Sequence, residues 1–203
     1  MSDDEKRVSI GARRNPETEA AVLDAAEALI REDGYASVTM EAVARRARAG
    51  KATVYRWWPS KAHLLLALYS RAKLEIPVPD TGSLPGDMTA YFTPMFARLT
   101  GESGQPPIGP ILRLLIAEAQ TDPSVQDALN EERRARWHHI DRMIARARAR
   151  GELAPTLPVR RAEQRIVAMI WYLLLSDQLP LREEVPELVE AIVTGMVVPA
   201  RVS

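Results

Sequence analysis

The sequence has no cysteine, no long apolar run and no excess of charge of either sign. The lack of cysteine excludes disulfides, a thiolate zinc site and a cysteine nucleophile. No apolar run approaches the roughly 20 residues that a membrane-spanning helix needs. Lys plus Arg and Asp plus Glu both number 27, so the net charge does not indicate nucleic acid as a partner. With 46% apolar and 27% charged residues among 203, the composition is globular, and we expect a cytoplasmic protein.

Helical signals dominate the chain, and no alternating run of β-branched residues is long enough to predict a sheet. The first helix has both ends marked, because Asn15-Pro16 is an N-cap followed by a helix-starting proline and Gly34 is a left-handed C-cap. The sequence therefore predicts an all-α protein. Later helices are predicted over about residues 60–75, 87–100, 111–120, 122–150, 159–178 and 186–198.

A stretch rich in proline and glycine, residues 76–86, separates two groups of helices. Segments of this composition are typical of domain boundaries. We therefore predict an N-terminal domain over residues 1–75, in which residues 1–14 form an arm. A C-terminal helical bundle is predicted over residues 76–203.

One segment is locally basic although the whole chain is neutral. No Asp or Glu occurs between Ala42 and Leu74. Lys and Arg side chains neutralise DNA phosphates and release their counterions, but a solvated basic surface has the same composition. Charge alone therefore leaves both interpretations open. The basic residues of this acid-free segment are Arg45, Arg46, Arg48, Lys51, Arg56, Lys61, Arg71 and Lys73.

The spacing of helices in the acid-free segment favours DNA binding. Short helices are predicted over residues 40–47 and 51–57, separated by a three-residue turn, with a longer amphipathic helix on either side. This is a helix-turn-helix arrangement, whose second helix fits the major groove of DNA. The second short helix carries the small residues Ala52 and Thr53, which permit close approach to base edges, whereas Val54 and Trp58 are predicted core residues.

The stretch TMEAVARRARAGKATVYRWWPSKAHLL (residues 39–65), preceded by a helix ending in EDGYASV, resembles the DNA-binding domain of TetR-family transcriptional regulators. The resemblance extends over about residues 15–70. It implies an all-α homodimer with an N-terminal three-helix helix-turn-helix domain that binds a pseudo-palindromic double-stranded DNA operator. Its C-terminal bundle would dimerise and bind a small-molecule effector. Most members are repressors that the effector releases from DNA, and activation is also compatible with the sequence.

The resemblance implies DNA contacts for individual residues. Those expected to contact phosphate are Thr39, Tyr55 and Lys61. Those expected at base edges or adjacent phosphates, at the start of the recognition helix, are Lys51, Ala52 and Thr53. Those expected to make further backbone or base contacts are Arg56 and Trp57. Arg13 and Arg14 precede the first helix, where a minor-groove contact and a solvated terminus are both open.

The turn of the motif departs from the family pattern. The family usually has glycine followed by a branched apolar residue, whereas this chain has Arg48 and Ala49, with glycine only at Gly50. A positive φ at Arg48 would cost about 1 kcal/mol. We hypothesise that Arg48 adds a phosphate contact.

Aromatic and methionine side chains of the C-terminal part are candidates for an effector pocket, because ligand sites in bundles lie between helices. Core packing is the alternative for each of them. Few charges accompany them, so we expect a small, largely apolar effector, with Arg113, Glu118 or Gln120 as a polar anchor. The pocket candidates are Tyr91, Phe92, Met95, Phe96, Trp137, Met143, Met169 and Tyr172.

The apolar stretch IVAMIWYLLL, residues 166–175, would form a helix that needs cover on all sides. Neighbouring helices of the same chain or a second subunit could provide it. An apolar stripe on the last helix favours the second subunit, and a purely internal core is the alternative. The predicted dimer interface consists of Ile170, Leu174, Leu188, Ile192 and Met196.

The sequence shows no constellation for catalysis or metal binding. It has neither a nucleophile-and-base motif nor a glycine-rich phosphate loop. The neighbours His138 and His139 point about 100° apart on a helix, so they cannot share a metal ion. We therefore predict no enzyme activity, no metal and no cofactor. A helical small-molecule-binding or scaffold protein without sequence-specific DNA binding is the alternative function.

Overall fold

A computed structural model describes residues 15–73 and 75–197 of the chain. Arg13 and Arg14 lie outside these residues. The chain divides into two compact units, Met1–Leu64 and Leu65–Ser203. The division falls inside the fourth helix, whereas the sequence places the domain boundary after it. Within the described ranges, the only β pairing is a single bridge between Leu153 and Val197, so the predicted all-α fold is confirmed.

The first unit contains the predicted helix-turn-helix. Its helices are α1 (Pro16–Asp33), α2 (Met40–Arg46), α3 (Lys51–Trp57) and the start of α4 (Lys61–Ala72), with a short 3₁₀ turn at Tyr35–Ser37. The Asn15 side chain accepts a hydrogen bond from the Glu17 N–H at 3.0 Å, as predicted. Gly34 ends α1 with φ +81° but ψ 174°, so its backbone lies outside the left-handed helical region that was predicted for this cap.

The apolar stripe of α1 packs against α2, which in turn packs against α3. Val22 and Ala26 of α1 are fully buried, as are Val43 of α2 and Val54 of α3. Burial of these side chains holds the three helices in a fixed arrangement. Trp58, directly after α3, is also buried, which confirms the predicted core positions of Val54 and Trp58.

In its described residues, the second unit is a bundle that contains the end of α4 and five further helices. They are α5 (Leu84–Thr100), α6 (Gly109–Glu118), α7 (Pro123–Ala149), α8 (Val159–Leu175) and α9 (Val185–Val193), with a 3₁₀ turn at Arg182–Glu184. Their order agrees with the sequence prediction, and most ends shift by a few residues. None of the helices in the described ranges combines the length and apolar character needed to cross a membrane.

The start of α5 is earlier than predicted. The Ser83 hydroxyl caps the helix by accepting a hydrogen bond from the Gly86 N–H at 3.1 Å. Proline is tolerated in this first turn because its missing N–H would have no helical partner. Asp87, the predicted first residue, is fully buried and accepts hydrogen bonds from the Thr81 backbone N–H at 2.6 Å and from its hydroxyl at 2.8 Å.

The predicted dimer interface does not form one exposed surface. Leu174, Ile192 and Met196 are buried within the chain itself, so their prediction as an exposed interface is wrong. The reason is that the apolar stripe of α9 packs mainly on α5. Ile170 and Leu188 are half-buried.

Another side of α8 is apolar and exposed instead. Met169, Tyr172 and Leu175 are 37%, 59% and 53% exposed. Their spacing of three residues places them near one another on the helix surface. The sequence favoured cover of α8 by a second subunit through Ile170 and Leu174, whereas the large apolar side chains of α8 that the chain leaves exposed are Met169, Tyr172 and Leu175.

Candidate nucleic-acid interface and effector cavity

Helix α3, predicted to be the recognition helix, has an exposed face with polar side chains. Thr53 is half-buried beside it, and the fully buried Val54 lies on the opposite side. The one-turn spacing of positions 51, 52, 55 and 56 brings these side chains onto neighbouring turns of one surface. The exposed residues of α3 are Lys51, Ala52, Tyr55 and Arg56. Five of the predicted DNA-contacting residues are thus brought together on one short helix.

Trp57 does not belong to this exposed face. Its side chain is only 8% exposed, and its ring meets that of Trp58 edge-on, with centroids 5.8 Å apart. Position 57 follows Val54 by three residues and therefore continues the buried stripe. The predicted DNA contact of Trp57 is wrong, and this residue is part of the core.

The turn between α2 and α3 contains a residue with left-handed backbone at the position where the sequence departs from the family pattern. Arg48 is exposed and has φ +52°. Its N–H donates to the carbonyl of Arg45 at 3.2 Å, and the N–H of Ala49 donates to the carbonyl of Ala44 at 3.0 Å. This pair of bonds is the Schellman motif, which ends helices and usually has glycine at the left-handed position. The motif is therefore retained with arginine in the strained position.

Two of the residues predicted to contact phosphate form hydrogen bonds within the first unit. Thr39 is exposed, and its hydroxyl oxygen caps α2 by accepting from the Ala42 N–H at 3.1 Å. Lys61 is half-buried and donates to the carbonyl of Tyr35 at 3.0 Å. A hydroxyl that accepts one bond can still donate another, and an ammonium has three N–H donors. Both groups keep the capacity to donate to a phosphate.

Tyr55 is bonded to a residue that sequence reasoning missed. Its hydroxyl donates to the carboxylate of Glu41, on α2, at 2.9 Å. This bond raises the pKa of Tyr55. The pKa of Glu41 is lowered, first by a hydrogen bond from its own backbone N–H and then by Tyr55. An ionised carboxylate therefore lies beside the exposed face of α3.

The basic surface of the first unit is smaller than the acid-free segment indicates. Arg46 donates two hydrogen bonds of 2.6 Å to Glu32, which lies on α1 outside that segment. In the second unit, Lys73 pairs with Glu132 at 2.6 Å in the same way. The remaining basic residues of the first unit's part of the segment are Arg45, Arg48, Lys51, Arg56 and Lys61.

The second unit has two adjoining cavities with different linings. The larger has a volume of about 460 Å³, and its polar lining includes Lys73, Arg98, Glu132 and His139. The smaller, of about 80 Å³, has a mainly apolar and aromatic lining that includes Phe92, Trp137, Ile140 and Trp171. The residues that line both are Tyr91, Met95 and Leu99.

Half of the predicted pocket residues line these cavities, namely Tyr91, Phe92, Met95 and Trp137. Phe96 and Met143 are buried but line neither cavity, and Met169 and Tyr172 belong to the exposed side of α8. These four residues thus lie outside the two cavities, because residue type does not reveal which way a helix faces. Ile170 and Leu174, predicted at the dimer interface, line the smaller cavity.

The proposed polar anchors of the pocket lie elsewhere. Arg113 forms an ion pair with Asp177 at 2.5 Å, and Glu118 and Gln120 line neither of these two cavities. The polar lining instead includes Arg98, which is 4% exposed and donates to the carbonyls of Ala72, at 2.9 Å, and of Pro106.

Comparison with known proteins agrees with the geometry of both units. The family described as "Bacterial regulatory proteins, tetR family" matches residues 22–68, which include α2, the turn and α3. The family described as "Tetracyclin repressor-like, C-terminal domain" matches residues 78–193, more than half of the chain. The chain belongs to the TetR family of transcriptional regulators. It is a DNA-binding regulator of the helix-turn-helix type.

Individual relatives support the membership of this regulator in the TetR family. It is 33% identical over 171 residues to the uncharacterized HTH-type transcriptional regulator YdeS of Bacillus subtilis (strain 168), covering 81% of this chain and 82% of YdeS. It is also 33% identical over 149 residues to the HTH-type transcriptional repressor KstR of Mycobacterium tuberculosis (strain ATCC 25618 / H37Rv), covering 70% of this chain and 64% of KstR.

Solved structures show the same fold. The TetR-family transcription regulator SCO0332 has 30% identity and a TM-score of 0.64, with 89% of this regulator and 98% of that chain covered. FadR from Bacillus subtilis, solved in complex with stearoyl-CoA, has 21% identity and a TM-score of 0.67, with 87% and 98% covered. The second likeness concerns the fold alone.

Sequence reasoning missed several polar residues of this regulator's two sites. Glu41 and Glu32 each lie 14 positions from their partners, so no local pattern reveals the contacts. Arg98 could have been found, since it follows the buried Leu84 and Tyr91 at seven-residue steps. Seven residues are two helical turns, which predicts that an arginine at this position faces the core.

Proposed function

We propose that this TetR-family regulator is a homodimeric repressor that binds a pseudo-palindromic operator and is released by a small, largely apolar effector. The exposed polar face of α3 is the observation that carries the proposal. The relative KstR is named as a repressor, which supports repression. We infer that the regulator acts in the cytoplasm, where its operator lies, and by binding rather than catalysis.

The side chains of α3 divide by chemistry into two kinds of DNA contact. Lys51, Ala52 and Thr53 begin the helix, and small or flexible side chains there can reach base edges in the major groove. Tyr55 and Arg56, one turn later, carry donors suited to phosphate oxygens. Thr39 and Lys61, also in the first unit, carry further donors suited to the DNA backbone.

Arg48 is proposed to contact a phosphate as well. It is exposed and lies in the turn immediately before α3. Its left-handed backbone is strained for a residue with a side chain. A phosphate contact would supply a functional reason for arginine where the family usually has glycine.

The exposed apolar side of α8 supports the homodimer. Met169, Tyr172 and Leu175 expose large apolar surface close together, and surfaces of this kind are typical of protein interfaces. A two-fold symmetric dimer can cover them by placing α8 of one subunit against α8 of the other, since such an interface uses the same surface twice. The homodimer would carry two copies of α3, and we expect the operator to offer them two half-sites, one helical turn or slightly more apart.

The linings of the two cavities support the effector chemistry. The smaller cavity is lined mainly by apolar and aromatic side chains, with Arg133 among them, whereas the larger one has several charged side chains, so the pair suits a molecule with an apolar body and a polar end. The relative FadR was solved with stearoyl-CoA, a molecule of that type. For a hundredfold loss of operator affinity, the effector must favour the released state by about 2.7 kcal/mol.

The experiment is a gel shift with the promoter DNA next to this regulator's own coding region, followed by footprinting. We expect a protected inverted repeat and an affinity that falls steeply with salt. The Thr53→Ala variant is tested beside the wild type to compare their preferences among DNA sequences. If no fragment is retarded even at low salt, the proposed function is wrong, and the helical small-molecule-binding or scaffold protein becomes the better interpretation.

A further inference from the structure

The hydroxyl group of Tyr55 is already engaged in the DNA-free protein. Tyr55 is 42% exposed, yet its hydroxyl donates to the carboxylate of Glu41 at 2.9 Å. The two residues meet, 14 positions apart, because α2 packs against α3. This bond therefore occupies a donor on the surface where the proposed function places DNA.

The bond cannot coexist with a contact from Tyr55 to DNA phosphate. A phenol hydroxyl has one proton, and both a carboxylate and a phosphate oxygen act as acceptors. While Glu41 accepts that proton, the hydroxyl offers a phosphate only oxygen lone pairs. A hydrogen bond from Tyr55 to phosphate thus requires the bond to Glu41 to break.

Glu41 is an anion in the DNA-free protein. Its pKa is lowered by its own backbone N–H, by the Tyr55 hydroxyl and by the positive charge of Lys51. A phosphate bonded to Tyr55 would lie about 5 Å from the Glu41 carboxylate, because the two acceptors approach the same hydroxyl at hydrogen-bond distance. Like charges at this distance repel each other.

We propose that Glu41 weakens operator binding by competing with a DNA phosphate for the proton of the Tyr55 hydroxyl. This inference rests on the proposed DNA contact of Tyr55 and adds a residue that opposes it. Because phosphates occur in every sequence, Glu41 lowers affinity for all duplexes alike and leaves sequence preference unchanged. A weaker operator complex also requires less effector coupling for its release.

The test compares four proteins on one fluorescent operator duplex: the wild type, Glu41→Gln, Tyr55→Phe and the double variant. Binding is measured by anisotropy at several salt concentrations, with a scrambled duplex alongside. We expect Glu41→Gln to tighten binding to both duplexes by about threefold to tenfold. Tyr55→Phe should weaken binding, and in its background Glu41→Gln should gain less than about twofold.

A matched control removes the same charge elsewhere in the first unit. Glu17→Gln, at the exposed first turn of α1, should leave the affinity within about twofold of the wild type. Circular dichroism checks the fold of each protein. Glu41→Ala, which removes the acceptor altogether, is the second variant and should tighten binding at least as much as Glu41→Gln.

The outcomes separate this inference from the proposed function. If the wild type binds the operator but Glu41→Gln and Glu41→Ala bind equally or more weakly, Glu41 does not compete, and only the inference is overturned. An undiminished gain in the Tyr55→Phe background would also overturn it, because the effect would be bulk charge. If the wild type binds no duplex, both the inference and the proposed function are overturned.

Discussion

The guanidinium of Arg46 donates two hydrogen bonds of 2.6 Å to the carboxylate of Glu32, which joins α2 to α1. A bidentate pair of this kind restricts the side chain of Arg46 and neutralises its charge locally. The result is that a residue within the acid-free segment serves to link two helices. Composition alone does not distinguish it from the basic residues that the proposed function places near DNA.

We predict that Arg46→Gln leaves operator affinity within about twofold of the wild type, whereas Arg56→Gln weakens it by several-fold through loss of a backbone contact. Anisotropy titrations of the two variants, which remove the same charge, measure the difference. Equal losses would show that Arg46 contacts DNA despite its pairing with Glu32.

The same ion pair predicts a dependence of stability on pH. The hydrogen bond from Arg46 lowers the pKa of Glu32 in the folded state. The pair therefore stabilises the fold at any pH above the ordinary pKa of a glutamate. This contribution disappears as the pH falls through the lowered pKa. Thermal unfolding of the wild type and Arg46→Gln should therefore differ at neutral pH and converge in acid. A constant difference across this range would contradict the assignment.

Arg48→Gly separates backbone strain from DNA contact. Glycine adopts the positive φ of this position without steric cost, so the free energy of unfolding should rise by about 1 kcal/mol. If Arg48 contacts a phosphate, the slope of log affinity against log salt should become shallower by about one.

Arg48→Ala is the matched control for this substitution, because it removes the charge and retains the strain. It should reproduce the change in salt slope without the gain in stability. An unchanged slope in both variants would disprove the phosphate contact of Arg48, and an unchanged unfolding free energy in Arg48→Gly would disprove the strain.

The contacts assigned to α3 and α4 predict two kinds of binding defect. Tyr55→Phe and Lys61→Met should weaken binding about equally on operator and scrambled DNA, since their donors serve the backbone. Thr53→Ala should instead change the preference between operator variants. Competition titrations with a small set of mutated operators measure this. A uniform, sequence-independent loss in all three would refute the division of roles.

The buried position of Trp57 predicts a loss of stability. Trp57→Ala should reduce the free energy of unfolding by about 3–5 kcal/mol, because it leaves a cavity in a packed region. Arg56→Ala, at the neighbouring exposed position, should change it by less than about 0.5 kcal/mol. Urea titrations measure both. A small effect of Trp57→Ala would indicate that the indole does not pack in the core.

The exposed side of α8 predicts the site of dimerisation. A charge introduced by Tyr172→Glu or Leu175→Arg should shift the protein from dimer to monomer in sedimentation experiments, because a buried unpaired charge is costly at an interface. Leu114→Arg changes a similarly exposed apolar residue of α6 and should leave the dimer intact. Dissociation by Leu114→Arg alone would place the interface on α6 instead.

Much of the first unit could be predicted because its signals are local. The Asn15 cap, Gly34 and the three-residue turn all mark ends of helices at the positions observed. The cavities were harder to predict. Trp137 lines the smaller cavity, whereas Tyr172 lies on the exposed side of α8, although both are aromatic residues on amphipathic helices. The facing side depends on neighbouring helices that sequence spacing does not identify.

The sequence by itself determined the order and type of the helices and the helix-turn-helix, since caps, prolines, glycines and apolar periodicity act over a few residues. The sequence left the backbone at Arg48 open, and the structure shows it to be left-handed. Only the tertiary structure decided that Trp57 lies inside, that Tyr172 lies outside and that Glu41 holds the hydroxyl of Tyr55. These outcomes depend on which faces of distant helices pack together, and packing joins residues that no local pattern connects.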